Sequence, residues 1–279
     1  MVETWTERIA NLSVPTIVLL LGGLTVLRLV LRALRRSFFL FFAELTESAM
    51  LALALVFLLL RPFVLQTYHI PSSSMYPTLR ERDHLVVNKL LYRLRPPRRG
   101  EIIVFRAPRD ADWNEPEYIK RLIGLPGDTI EVKEGYVQVE GISYSHAEIR
   151  GILGISDTDA GEGNAPLVPL RLTPDGIHAG NRTISPAEFA VRVGRREALV
   201  EIQPGKVLRN GVPLIEDHVA EDPEYHLDPY VVPGGSCFVL GDNRNQSHDS
   251  HEWLALPSNR VIGRAEAVFW PIHRIRRTR

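Results

Sequence analysis

The stretch Pro71-Ser72-Ser73-Ser74-Met75-Tyr76-Pro77-Thr78 directly follows an apolar run that ends near Leu65. Proline fixes φ and cannot continue a helix, so the serines between the two prolines must lie on an extended or turning segment. A serine on such a segment is accessible enough to act as a nucleophile. The apolar run before it predicts that this nucleophile lies close to a membrane surface.

Two apolar segments precede this stretch, at about 12–34 and 45–65. Neither holds the roughly 18 uninterrupted apolar residues that make a membrane span certain. The long side chains of Arg28, Arg32 and Arg61 can reach the membrane interface, however, so both segments can still span. We predict a membrane anchor at 1–65 with two transmembrane segments, and a single second span is the alternative.

Arginine placement predicts the direction of these spans. The arginines between the two segments are Arg28, Arg32, Arg35 and Arg36. Because basic residues stay on the cytoplasmic side, we expect the connection between the segments to be cytoplasmic. The N-terminus and the large C-terminal body are then predicted to lie on the other side of the membrane.

Beyond residue 66 the helical period gives way to short β-rich runs separated by turn signals such as Pro126-Gly127-Asp128. Strands at this spacing, without long helical patterns between them, predict an antiparallel all-β body and hence a mainly β fold class. The predicted strands are His84–Val87, Ile102–Phe105, Thr129–Val132, Tyr136–Val139, Val191–Val193, Leu199–Ile202, Lys206–Leu208, Cys237–Leu240 and Val261–Trp270.

Composition restricts the classes of partner. The 33 basic and 33 acidic residues balance, which gives no reason to expect a nucleic-acid partner. The single cysteine, Cys237, cannot form an intramolecular disulfide, and its apolar neighbours indicate a buried thiol. The body must therefore be stable without a disulfide.

A serine nucleophile loses its proton as it attacks a carbonyl carbon, so it needs a neutral base within hydrogen-bonding distance. Lys120 could serve as that base, because burial disfavours the ammonium form and lowers a lysine pKa. Its neighbours Tyr118, Ile119 and Leu122 make an apolar site plausible. Neither Ser74 nor Lys120 is diagnostic alone, since most serines are solvated or capping groups and most lysines lie on the surface.

The joint pattern is far more specific than either residue. The motifs are Ser72–Thr78, Arg99–Phe105, Tyr118–Asp128 and Gly241-Asp242-Asn243-Arg244. Together they resemble the type I signal peptidases, which are membrane-bound serine–lysine peptidases, over about 60–133 and 204–270. The resemblance implies an endopeptidase that removes signal peptides from exported preproteins without a cofactor. It also implies a multi-pass protein of the cytoplasmic (inner) membrane, with the catalytic domain on the extracytoplasmic side and the lipid bilayer as a partner.

The resemblance also implies roles for individual residues. Ser74 matches the nucleophile and Lys120 the general base. Ser72 is similar to the serine whose hydroxyl joins the backbone amide of Ser74 in the oxyanion hole. Ser247 matches the residue that orients the lysine amine, and Asp249 matches a supporting carboxylate.

The chain departs from the family pattern beside these residues. Asn245-Gln246 stands where an Asp-Asn pair is usual, and His251 replaces the arginine that usually pairs with the aspartate. The histidine leaves two alternatives open, although we predict no metal. One is a Ser74–His251–Asp249 triad, and the other is a metal site formed by His248, Asp249 and His251. A third alternative is a membrane-anchored protein that binds leader peptides or acts as a scaffold without cutting.

In the family, the segment that resembles residues 129–133 is normally followed directly by the segment that resembles residues 205–214. Here residues 134–204 intervene, and we predict that they form an inserted β-rich subdomain. The catalytic β domain is then expected to comprise 66–133 and 205–279.

Overall fold

The computed structural model describes residues 14–34, 36–60, 64–155 and 168–278. It begins with two helices, α1 (Val14–Ala33) and α2 (Ser37–Ala54), and α2 continues into a π-helical segment, Leu55–Leu60. By length and composition, both helices are apolar enough to cross a membrane.

The boundaries of the second helix differ from the prediction. It begins at Ser37 rather than near residue 45, and Leu65 already belongs to a strand. Glu47 lies inside this helix, where its carboxylate is 2.5 Å from the guanidinium of Arg28 on α1. Because this ion pair compensates the charge, Glu47 is accommodated inside the apolar helix.

The remaining elements are mostly short strands joined by turns. The strands are β1 (Leu65–His69), β2 (His84–Asn88), β3 (Ile102–Arg106), β4 (Glu117–Gly124), β5 (Thr129–Lys133), β6 (Tyr136–Val139), β7 (Ile142–Tyr144), β8 (Leu170–Thr173), β9 (Gly176–Ala179), β10 (Arg182–Ile184), β11 (Val200–Gln203), β12 (Lys206–Arg209), β13 (Val212–Pro213), β14 (Leu227–Val231), β15 (Ser236–Leu240), β16 (Leu256–Pro257), β17 (Val261–Trp270) and β18 (Arg276–Arg277). The short helices are α3 (Leu91–Leu94), α4 (His146–Leu153), α5 (Pro186–Arg192) and α6 (Ser250–Trp253).

All pairings among the described strands are antiparallel. An eight-stranded sheet has the order β1-β2-β17-β3-β4-β15-β16, with β18 paired to β17. A four-stranded sheet, β13-β12-β5-β14, packs against β4 and β15 through a shared core that includes Ile123, Ile130, Val207 and Phe238. The predicted fold class, mainly antiparallel β behind N-terminal apolar helices, is confirmed.

Residues 136–203 contain two similar units, each a β-hairpin followed by a short helix. Ser145 caps α4 and Ser185 caps α5 by accepting a hydrogen bond from a backbone N–H in the first turn. Gly154 and Gly194 follow the two helices, both with positive φ. β11, which follows the second unit, pairs with the first hairpin, and β8, which follows the first unit, pairs with the second hairpin. This exchange interlocks the two units.

The predicted strand Val191–Val193 is wrong, because Val191 and Arg192 belong to α5 and Val193 is its C-cap. The serine cap, Pro186 at the first turn and Gly194 after the end are helix boundary signals, and they outweigh the strand preference of valine. The helix also buries Phe189 in a hydrophobic core that is formed within residues 136–203.

We predict that Gly135→Ala destabilises the protein by about 1–3 kcal/mol, because the added methyl group overpacks a tight site. Gly135 joins β5 to β6, and a Cβ there would lie 2.6 Å from the backbone nitrogen of Gly205. The measurement is thermal unfolding of the detergent-solubilised protein by tryptophan fluorescence. Gly234→Ala is the control, since a Cβ there meets no atom within 4 Å. Equal midpoints for the two variants would contradict the prediction.

Candidate active site

Ser74 lies in the turn after β1 and is 8% exposed. The segment 241–243, which follows β15, holds this turn at several points. The backbone N–H of Asn243 donates to the Ser74 carbonyl at 3.1 Å, and the Asn243 side-chain amide donates to the Ser73 carbonyl at 3.2 Å. The Thr78 hydroxyl donates to an Asp242 carboxylate oxygen at 2.5 Å. The serine is therefore fixed by a segment distant in sequence.

Lys120 reaches Ser74 from β4. Its amine, on a side chain buried to 5% exposure, lies 2.8 Å from the Ser74 hydroxyl oxygen. The ring of Tyr118 lies 5.5 Å from the same amine. Burial lowers the pKa of Lys120 to about 8, while the negative charges of Asp249 and Asp242 oppose that shift. The amine can therefore become neutral at a mildly alkaline pH and accept a proton from the serine.

A buried ion pair joins β4 to the segment that holds Ser74. Arg121 Nε lies 2.7 Å from Asp242 Oδ1, and Arg121 Nη2 lies 2.6 Å from Asp242 Oδ2. The two side chains are 4% and 0% exposed. Arg121 also donates to the Gly100 carbonyl at 2.8 Å. Since Lys120 and Arg121 are consecutive, this pair sets the distance between the lysine strand and the serine turn.

Asp249 supports the same segment from the other side. It is fully buried, and its Oδ2 accepts the backbone N–H of Gly241 at 2.7 Å. A Cβ at Gly241 would lie 2.5 Å from the Ser74 carbonyl oxygen, so only glycine fits there. Asp249 Oδ1 lies 2.8 Å from His251 Nδ1 and accepts the His251 backbone N–H at 3.1 Å.

Ser72 and Ser247, the two other serines predicted at the site, differ in their burial and in their contacts. Ser72 is exposed, and its hydroxyl oxygen is 3.4 Å from that of Ser74. Ser247 is buried beside Gly241, and its hydroxyl has no hydrogen-bond partner among the described residues. The expected hydrogen bond from Ser247 to Lys120 is therefore not formed, and the roles of both serines stay predictions.

The histidine alternatives find no support in the contacts of His251. Within the described part of the chain, the Ser74 hydroxyl has hydrogen-bond contacts with Lys120 and Ser72 but none with His251. His248 instead contacts Glu252 at 2.8 Å and the Ala111 carbonyl at 3.0 Å. Over the described ranges, no group of three or more His, Cys, Asp or Glu side chains could hold a metal ion.

Sequence reasoning assigned no role to Arg121, Asp242 or Thr78, although all three lie inside the quoted motifs. The sequence did contain a signal for the Arg121–Asp242 ion pair. Arg121 follows Lys120 in an apolar strand, and a buried charge needs a partner of opposite sign. The acidic residue of Gly241-Asp242-Asn243 was a candidate partner, but only the folded chain brings the two together.

A turn serine in contact with a buried lysine amine is the arrangement that a serine–lysine hydrolase requires. The chain matches the family described as signal peptidase, peptidase S26, over residues 42–160 and 194–270. The chain therefore belongs to the signal peptidase family S26, and the resemblance inferred from the motifs is confirmed. The residues between 160 and 194 lie outside the match, within the region of the two interlocked units.

Several relatives align with most of the chain. A signal peptidase I of Leptolyngbya laminosa is 34% identical over 220 residues, which cover 77% of this chain and 74% of the relative. A probable signal peptidase I-1 of Synechocystis sp. is 33% identical over 239 residues, or 84% and 85% of the two chains. A signal peptidase I of Aquifex aeolicus is 31% identical over 237 residues, or 81% and 83%.

We predict that Asp242→Asn lowers stability by about 3–5 kcal/mol, because it leaves the buried Arg121 charge without its partner. The control is Asp228→Asn, whose side chain is 95% exposed, and its effect should stay within about 0.5 kcal/mol. Thermal unfolding in detergent compares the two variants. If Asp242→Asn unfolded at the same temperature as its control, the importance of the Arg121–Asp242 pair would be refuted.

We also predict that Lys120→Met stabilises the protein at pH 7, by up to about 3 kcal/mol. The folded-state pKa of Lys120 lies below its unfolded value, so the cost of burying the ammonium is fully present below about pH 8. That cost disappears as the pH rises toward the unfolded pKa, and the two proteins should then unfold alike. The exposed Lys133→Met is the control and should change little at either pH. A lower midpoint for Lys120→Met at pH 7 would contradict this account.

Proposed function

We propose that this protein is a membrane-anchored serine endopeptidase that removes N-terminal signal peptides from preproteins, with Ser74 as nucleophile and Lys120 as general base. The observation that carries the proposal is the 2.8 Å contact between the Ser74 hydroxyl and a lysine amine that burial brings toward the neutral form. Membership of the signal peptidase family supports the substrate class, since the relatives carry that name.

The reaction follows from this geometry. Neutral Lys120 takes the Ser74 proton as the hydroxyl oxygen bonds to the scissile carbonyl carbon. The resulting oxyanion is stabilised by the backbone N–H of Ser74 and the hydroxyl of Ser72. The ammonium of Lys120 then gives its proton to the leaving amine as the C–N bond breaks. A water molecule, deprotonated by Lys120, finally attacks the acyl ester. The ammonium of Lys120 returns this proton to the Ser74 oxygen as the ester C–O bond breaks, which regenerates the serine and the neutral amine.

The supporting residues act on this pair indirectly. Asp249 holds Gly241 against the Ser74 carbonyl, and His251 in turn orients Asp249. Ser247, whose hydroxyl is unpartnered and lies at the same segment, is proposed to contact the lysine amine when substrate is bound. Apo active sites often tighten such hydrogen bonds only in the substrate complex.

The anchor fits a substrate that is itself partly in the membrane. We propose that 1–65 is the anchor, that α1 and α2 both span, and that the connection between them is cytoplasmic. The catalytic domain, 66–133 and 205–279, then lies on the extracytoplasmic side of the cytoplasmic membrane, with 134–204 as an inserted subdomain. A signal peptide carries an apolar segment before its cleavage site, so enzyme and substrate meet within one bilayer.

We predict that Ser74→Ala and Lys120→Ala each lower kcat for preprotein cleavage by about 10⁴-fold or more, because the two side chains act as a unit. The assay follows cleavage of a purified preprotein in detergent by gel and mass spectrometry. Ser73→Ala is the matched control, since this neighbouring side chain has no proposed role, and it should cut at the wild-type rate.

His251→Ala separates the dyad from the histidine triad. It should keep substantial activity if Lys120 is the base. A loss as complete as that of Ser74→Ala, together with an active Lys120→Ala, would establish the triad instead. A wild type that binds preproteins and never cuts them would favour the non-catalytic scaffold.

We expect kcat/KM to rise with pH through about 8. Lys120 is protonated and unable to accept a proton below its pKa of about 8, and it becomes a base above that value. The measurement is the initial cleavage rate at subsaturating preprotein from pH 5 to 10. A rate that is independent of pH across this range would rule out Lys120 as a titrating general base.

A further inference from the structure

Tyr225 makes a contact that the sequence motifs do not predict. Its ring stacks on the His251 imidazole, with centroids 4.0 Å apart and ring planes 22° from parallel. The Tyr225 hydroxyl is buried and has no hydrogen-bond partner among the described residues. The ring packs beside the core shared by β5 and β12. The flat face of the tyrosine, and not its hydroxyl, therefore provides the interaction.

This stack lies at the start of a chain of contacts that ends at the catalytic pair. His251 Nδ1 is 2.8 Å from Asp249 Oδ1, and the other Asp249 oxygen accepts the Gly241 N–H at 2.7 Å. Gly241 packs against the carbonyl of Ser74. Asp249 is also a negative charge that acts on the Lys120 amine. A change in the His251 ring position is thus passed to both catalytic side chains.

Tyr225 follows a short loop, 221–224, that is held from two directions. On the catalytic side, Asn245 accepts the Glu224 backbone N–H at 2.8 Å and donates to the Asp222 carbonyl at 2.9 Å. On the other side, Arg150 of α4 lies 3.2 Å from the Glu221 carboxylate and 3.0 Å from that of Glu224. Arg150 of α4 is therefore linked, through this loop, to the segment beside the active site.

We propose that Tyr225 is a positioning residue for the Ser74/Lys120 pair, that it acts by holding His251 against Asp249, and that Arg150 of the inserted region keeps it in place. The proposal rests on the proposed peptidase function. It gives a joint reason for two departures from the family pattern. Asn245 binds the loop that carries Tyr225, and His251 offers a flat ring on which Tyr225 can stack.

The charges around the two titratable groups set the expected direction of the effect. His251 faces Asp249 and also Glu252, whose Oε1 is 3.6 Å from His251 Nε2. Lys120 faces Asp249 and Asp242. Removal of the Tyr225 ring admits water and frees Asp249 from its histidine partner. Both changes favour the ammonium form, so the pKa of Lys120 should rise.

The experiment compares full-length wild type with Tyr225→Ala, Tyr225→Leu and Tyr225→Phe in detergent. In Tyr225→Ala and Tyr225→Leu, the pH profile of kcat/KM should move to higher pH by about one pKa unit. At pH 7.5, kcat should therefore be reduced about 10-fold, with KM nearly unchanged. Tyr225→Phe keeps the ring and should match the wild type. Tyr225→Leu refills the core without a flat ring, so it covers the case in which the alanine variant fails to fold.

A second readout needs no substrate. The chain has four lysines, Lys89, Lys120, Lys133 and Lys206, so a titration of ¹³Cε-labelled lysine by NMR resolves Lys120 directly. Its midpoint should rise in Tyr225→Leu and in Arg150→Ala and stay unchanged in Tyr225→Phe. If Lys120 titrates identically in wild type and Tyr225→Leu, the proposal is overturned, even where activity is reduced. If wild type cuts no preprotein, the peptidase function fails while this titration still decides the role of Tyr225.

Discussion

The buried ion pair between Arg121 and Asp242 is the constraint on which the site depends. Two charges removed from water must be paired, and here the pairing is bidentate, at 2.7 and 2.6 Å. Asp242 also binds Thr78, in the turn that carries Ser74, while Arg121 follows Lys120 on β4. One carboxylate therefore helps to position both Ser74 and Lys120, the proposed catalytic pair, which are 46 residues apart in sequence.

The role proposed for Lys120 depends on the poor solvation of its buried amine. Burial makes the ammonium form costly, and the same cost produces an amine able to take a proton from serine. The negative charges of Asp249 and Asp242 limit this shift, so that the pKa of Lys120 is lowered only to about 8. Such a balance is a common reason why active sites reduce the stability of the proteins that contain them.

The sequence predicted those features that depend on local patterns. The β-rich runs and turn signals predicted the bounds of β6 and β17 to the residue. The motifs identified Ser74 and Lys120, which the fold brings into contact. The long-range contacts could not be predicted from local patterns, because the Tyr225–His251 stack and the Arg121–Asp242 pair exist only in the folded chain. The strand error at Val191–Val193 was avoidable, since serine and glycine boundary signals surround that helix. The two interlocked units of 136–203 share their serine caps and their apolar pattern, but few of their residues are identical.

The most direct test of this account is acid-quenched turnover of a preprotein, analysed by peptide mass spectrometry. We predict a signal peptide joined as an ester to Ser74, on a peptide that spans residues 71–80, in wild type and not in Lys120→Met. That result would show that Ser74 attacks the substrate and that Lys120 is needed for the attack. An adduct on another residue, or equal acylation of Ser74 without the lysine, would contradict the central claim.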